Sequence, residues 1–192
     1  SDAHAPAILS MSTFESGTRA EESTLKAHES TRDKATNPFI NLYENVLLST
    51  ENWHEYDVVG ISIVGISQII PGLTLARMIK EKYPHLHITL GGPIFSVNAG
   101  QLIGHPEFFD DFCHSVVTFE GEEPMHRLLS ALKAGDSLST VPNLLHLDGR
   151  EVVQNKERVE LRFEELPNPD FEGLPMDKYL SPYPILPVLQ SR

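Results

Sequence analysis

The chain has 192 residues, 40% of them apolar, and a formal charge of −12 with only 15 Lys and Arg. Nucleic acids and anionic membrane surfaces need clustered cations that this composition does not supply, so neither is expected as a partner. No apolar run approaches the roughly 20 residues that span a bilayer and no signal-peptide core opens the chain, which points to a cytoplasmic protein with one substantial core. The single cysteine, Cys113, permits no internal disulfide, and between Phe112 and His114 it reads as a small hydrophobe.

Ser1–Thr36 is rich in Ser, Thr, Ala, Glu and Lys, with Ala7-Ile8-Leu9 and Phe14 as its only apolar anchors. It reads as an extended or partly helical lead-in, and the missing initiator Met suggests a piece of a longer protein. Asn37-Pro38 makes a helix start, followed by Phe39, Leu42, Tyr43, Val46 and Leu47 at helical spacing. Asp57–Val64 and Leu86–Leu90 are β-branched runs without helical period, the pattern of parallel strands covered on both faces. Between them, Pro71 falls near the first turn of a helix with Ile69, Gly72, Ala76, Ile79 and Tyr83 on one face and Arg77, Lys80 and Glu81 elsewhere. This is a βαβ unit with an expected right-handed crossover.

After Gly92-Pro93, Gly100, Gly104 and Pro106 break Ile94–Asp111 into a short helix and loops. Ser115–Phe119 is the next strand, and Glu120–Pro124 turns it into a helix with Met125, Leu128, Leu129 and Leu132 in one stripe. Asn143–Leu147 and Glu151–Asn155 flank Asp148-Gly149-Arg150 as an antiparallel hairpin. From Glu164 onward, Pro167, Pro169, Pro175, Pro182, Pro184 and Pro187 mark a docking strap or linker. The expected fold is therefore α/β: a Rossmann-like (flavodoxin-like) parallel sheet with helices on both faces, a small β-hairpin and a Pro-rich C-terminal strap. Its expected divisions are a lead-in over 1–36, the α/β domain over 37–163 and the linker over 164–192.

Ligands of open α/β sheets sit beyond the carboxyl ends of the strands, which here means Ser62–Gln68 and Gly91-Gly92-Pro93. The Gly91-Gly92 pair lets a backbone approach a bulky ligand closely, although a structural turn would use the same residues. Ser62 and Ser67 offer hydroxyls and Gln68 an amide at the same edge. The Glu120-Gly121-Glu122 turn could add carboxylates, while Glu122 and Glu123 also suit a helix N-terminus without any ligand. His85-x-His87 is a possible metal pair for which the sequence shows no further ligands, so no metal site is assigned. A Lys-Ser/Thr phosphate loop, a Gly-x-Ser-x-Gly elbow and a His-Glu-x-x-His pair are all absent from the sequence, so the kinase and hydrolase readings lose their support.

The runs Asp57–Ser62, Gln68–Lys80 and Ile88–Pro93, followed by Phe119-Glu120-Gly121-Glu122, the hairpin over 144–155 and the Leu166–Phe171 and Asp177–Leu180 stretches, resemble the N-terminal cobalamin-binding domain of B12-dependent radical SAM proteins. Their wording is closest to members associated with maturation of ribosomally made peptides. The resemblance implies cobalamin as cofactor, lined by Ser62, Val64, Ser67 and Gln68, with Gly91, Gly92, Glu120 and Gly121 completing the edge. It also implies a downstream radical SAM domain of the same full-length chain that holds a 4Fe-4S cluster and S-adenosylmethionine. The chain ends before the three cysteines that such a cluster needs, so by itself it is expected not to carry out radical chemistry. Asp2-Ala3-His4 imitates the cobalt-ligating Asp-x-His motif of other cobalamin proteins but lacks its Gly and preceding strand, and is rejected as a ligand. The rival reading is a flavodoxin-like interaction or regulatory domain without a cofactor.

Overall fold

The computed structural model describes residues 23–160, together with 8–9, 14–15, 170, 172–175 and 178. The Asp2–Ala7 motif and most of the Pro-rich tail lie outside the described residues. Contacts divide the chain into units over 1–160 and 161–192. In the second, Asp170 accepts from the Glu172 N–H and a turn at Gly173 follows.

In the first unit, β1 (Ile8–Leu9) pairs antiparallel with β2 (Phe14–Glu15). Ser23 caps α1 (Thr24–Ser30), accepting from the Lys26 N–H. Asn37 caps α2 (Pro38–Leu42) in the same way, with Pro38 in the first turn where its missing N–H costs nothing. The helix then widens into a π segment at Tyr43–Leu47 before α3 (Leu48–Thr50). The wider turn shifts the helical phase, so Ile40 and Leu48 are buried while Leu42 and Val46, expected on the packing stripe, face solvent.

The central sheet has five strands: β3 (Val58–Ser62), β4 (His87–Gly91), β5 (Ser115–Val117), β6 (Leu144–Asp148) and β7 (Glu151–Gln154), adjacent in that order. β3, β4 and β5 are parallel, whereas β6 and β7 join antiparallel. The sheet is therefore mixed: the hairpin continues it, pairing Val117 with Leu144, instead of standing apart as a separate appendage. Gly149 takes a positive φ of 63° at the hairpin's two-residue turn.

Helices lie on both faces. α4 (Ile69–Lys82), α5 (Pro93–Leu102) and α6 (Pro106–Phe112) pack on the face that carries Ile88, Leu90, Val116 and Leu145. α7 (Glu122–Ala134) covers the other, where Leu128 and Ala131 meet Val117, Val141 and Leu144. That face alternates with the first along each strand, as the period of two requires. α4 is buried more widely than its sequence stripe suggests: Ile70, Leu73, Thr74 and Met78 are inside, and so is Arg77, expected on the polar side. Helices α1 and α2 lie over it, and the Arg77 guanidinium donates to the Thr31 carbonyl at 2.7 Å and to Glu81 at 2.6 Å. Ala27 and Thr31 are buried too, so the core reaches back beyond Asn37 into the stretch read as a lead-in.

Candidate functional site

The exit from β3 is built by its own loop. Ile63 extends the parallel pairing by donating to the Gly91 carbonyl at 2.8 Å, and the chain then turns through Val64-Gly65-Ile66-Ser67-Gln68. The Gln68 side-chain oxygen accepts from the Val64 N–H at 2.8 Å and the Gly65 N–H at 3.3 Å, closing the loop. Gln68 thus spends its carbonyl on its own backbone, leaving the amide nitrogen for anything beyond the edge. With the peptide groups turned inward, Val64 and Ile66 project outward at 61% and 65% exposure. Ser62 is exposed on the sheet face opposite Ile61 and Ile63, and Ser67 is half-buried.

The exits from β4 and β5 diverge, because α5 runs onto one face of the sheet and α7 onto the other. Adjacent strand ends whose connections part in this way open the crevice at which α/β sheets bind ligands. On the β4 side, Gly92 has φ 112°, and a Cβ there would lie 2.3 Å from the Ile63 carbonyl oxygen. The close approach that this glycine permits is therefore that of the neighbouring strand, which favours the structural of the two readings open for Gly92. At Gly91 a Cβ would meet the Val117 oxygen at an ordinary 3.6 Å.

On the β5 side, Thr118 donates through both its N–H and its hydroxyl to the Asn143 carbonyl, at 2.9 and 3.0 Å. Phe119 follows with φ 60°, a left-handed conformation that costs a side-chain-bearing residue about 1–2 kcal/mol. Its N–H is held by the Ser96 hydroxyl of α5 at 2.6 Å, a bond that bridges the two diverging exits. The Phe119 ring is 41% exposed, with the Arg158 guanidinium 3.9 Å from its centroid. Glu120 and Gly121 complete the turn, half-buried, and the Gly121 carbonyl opens α7 by accepting from the Met125 N–H. Val97, one helical step past Ser96, is 84% exposed.

The structure thus places Ser62 and Gly91 as the last residues of β3 and β4, and Val64, Ser67, Gln68, Gly92, Glu120 and Gly121 on the turns that follow β3, β4 and β5. Sequence reasoning missed Ser96, Val97, Phe119 and Arg158. Val97 lies between half-buried Ser96 and Asn98, outside the buried positions Phe95, Ala99 and Leu102 of its helix, which is a signal. Nothing in residue type marks Phe119 for a left-handed backbone. A depression of about 330 Å³ adjoins Phe119 between Thr118, Asn143 and Arg158. A larger one of about 550 Å³ lies on α4 among Arg32, Lys34, Glu44, Arg77 and Glu81, where ion pairs already satisfy most of the charge.

The amino ends of the same strands are closed. The Ile88 N–H donates to Nδ1 of His114 at 2.9 Å, and His87 Nε2 lies 2.9 Å from the Ser115 hydroxyl. Burial, with the neighbouring charge of Lys80, pushes both imidazoles down to a pKa of about 4. The Lys80 ammonium caps α6 by donating to the carbonyls of Asp110 and Cys113, and burial lowers its pKa as well. His85 stacks instead on His54 at 5.6 Å, so the His85-x-His87 pair is split. Among the described residues no group of three or more His, Cys, Asp or Glu side chains could hold a metal ion.

No protein-family model matches the chain. No curated protein matches it either. Among solved structures it is similar to the radical S-adenosylmethionine methyltransferase TsrM from Kitasatospora setae with cobalamin and a 4Fe-4S cluster bound, at 21% identity and a TM-score of 0.42. The likeness covers 62% of this chain and 24% of that one, so the chain spans about a quarter of that protein's length. Among the described residues no helix is long and apolar enough to cross a membrane.

Proposed function

We propose that the chain is a cobalamin-binding domain of a radical SAM enzyme that carries out methyl transfer or a related modification, with a peptide as the substrate class. The observation that carries this reading is the exposed apolar edge: Val64 and Ile66 after β3, Val97 in α5 after β4 and Phe119 after β5 are four large exposed side chains that follow the carboxyl ends of three adjacent strands. A lone exposed aliphatic residue needs no explanation, but a cluster at a crevice marks a binding surface. A corrin presents a broad apolar face rimmed by amides, and this edge offers aliphatic and aromatic surface bordered by the Ser62, Ser67 and Gln68 side chains and the Glu120-Gly121 turn. The order of sequence motifs supports the same cofactor. None of the three loops contains a histidine, so the cobalt would be held without an imidazole from them.

When bound, cobalamin supplies a cobalt that carries a methyl group or an electron. The chain's own residues would hold it: Val64, Ile66, Val97 and Phe119 would exclude water from its apolar surface, and the polar side chains would meet its amides. The partner in this reading is the downstream radical SAM domain of the full-length chain, which covers the upper face, in the cytoplasm.

Titration with hydroxocobalamin tests the proposal. A saturable absorbance shift with a dissociation constant in the micromolar range, about −8 kcal/mol, is expected. A protein that stays colourless and shows no shift at millimolar cobalamin is instead an interaction domain whose apolar edge meets another protein.

A further inference from the structure

Asn143, buried just before β6, has every polar group engaged. Its N–H donates to the Glu157 carbonyl at 3.0 Å and its own carbonyl takes both Thr118 bonds. Its side-chain oxygen accepts from the Val159 N–H at 3.1 Å, while the amide nitrogen donates to the Val159 carbonyl at 2.8 Å and to the Glu120 carbonyl at 3.4 Å. A carboxamide has the same donor and acceptor as a peptide group, so Asn143 pairs with Val159 as an added strand would, and no hydroxyl or apolar side chain can copy that. The segment it grips is held a second time, through the Glu157 carboxylate, which accepts from Arg127 of α7 at 2.9 Å.

Between the two gripped residues lies Arg158, delivered over the Phe119 ring. Phe119 and Asn143 are also the only non-glycine residues of positive φ among the described residues, at 60° and 53°. Asn tolerates that conformation and Phe does not, so the Phe119 backbone is imposed by its neighbours, the Thr118–Asn143 bonds on one side and Ser96 on the other.

We infer that Asn143 is a positioning residue for the strand-tip site: it clasps Glu157–Val159 to the Thr118–Glu120 turn, sets Arg158 over Phe119, and so fixes the β5 exit on which ligand contact depends. Occupancy of the site is thereby coupled to the order of the Glu157–Val159 segment. The ligand arm of this inference rests on the cobalamin reading, and the protease arm does not.

The Asn143→Gly variant of the 192-residue chain separates the effects, since glycine keeps the positive φ and the backbone bonds and loses only the carboxamide. We expect its helical circular dichroism and its tryptic cutting after Arg77 and Lys82 to match wild type, with cutting after Lys156 and Arg158 roughly tenfold faster because the segment opens locally. Hydroxocobalamin should bind it roughly tenfold more weakly. Arg158→Ala, at an exposed side chain, leaves the Asn143 bonds to the backbone in place; it should keep the protection of Lys156 and weaken cobalamin about threefold.

Unchanged protection of Lys156 in the folded Asn143→Gly protein overturns the clasp, as does wild-type cutting after Lys156 as fast as in the denatured chain, which decides the matter if that variant does not fold. Faster cutting with wild-type cobalamin affinity overturns the coupling. A wild-type chain that binds no cobalamin refutes the functional reading alone, and protection of Lys156 still decides the clasp.

Discussion

Around the amino ends of β4 and β5, polar groups are turned inward and matched to one another: His114 accepts from Ile88, His87 meets Ser115, and Lys80 caps the carbonyls that end α6. At the carboxyl ends the arrangement is inverted. There the loops use their polar groups to fix their own backbones, Gln68 for Val64 and Ser96 for Phe119, and apolar side chains point at solvent. One end conceals titratable groups within the fold, and the other exposes hydrophobic ones. Substitutions at the two ends should therefore separate folding from recognition.

The largest effect is expected at the one carboxyl-end residue that breaks this division. Gly92 belongs to the binding edge by position and to the fold by contact, so Gly92→Val should lose more than about 3 kcal/mol in denaturant unfolding, or fail to fold, because its Cβ would overlap the Ile63 carbonyl. A folded, stable variant that only loses cobalamin would restore the ligand as the reason for the glycine.

A smaller effect separates the ends by pH. Both His87 and His114 have a folded pKa near 4, below the ordinary value near 6.5, so the unfolded chain takes up protons first as pH falls. Their stabilising contribution is complete above pH 6.5 and disappears as pH drops toward 4. Allowing for their partial exposure, the pair should cost on the order of 2 kcal/mol across that window, read from denaturation midpoints at pH 7 and pH 4.5. A flat profile would show that the amino end is more open than its geometry indicates.

The smallest stability change is expected at the exposed edge. Val97→Ser should shift unfolding by less than about 0.5 kcal/mol while weakening cobalamin several-fold, since the side chain touches solvent and not the core. An equal loss of stability would make Val97 a packing residue.

How much of this was legible in the sequence follows from the range of the interactions. The βαβ unit, the Asn37-Pro38 helix start and the hairpin at Gly149 are local patterns, and each appears where its residues put it. The α4 stripe was misread because tertiary cover from α1 and α2 buried Arg77, which helical periodicity alone assigns to solvent. The π segment at Tyr43–Leu47 displaced the phase of a pattern that assumed a uniform helix. At the site, Gly92 takes a backbone that favours glycine, but its nearest neighbour is Ile63, brought in by the sheet, and Gly91 makes only an ordinary contact. Phe119 and Asn143 were invisible, because their left-handed backbones depend on partners 23 to 25 residues away in the chain.

Cys113 adds a chemical consequence to the closed amino end. The chain's only sulfhydryl is buried, and desolvation raises its pKa far enough that almost no thiolate exists at neutral pH. Oxidants and electrophiles, which attack the thiolate, meet little of it while α6 stays seated on α4 and β6. Disulfide-linked dimers therefore form at a rate governed by how often that junction opens.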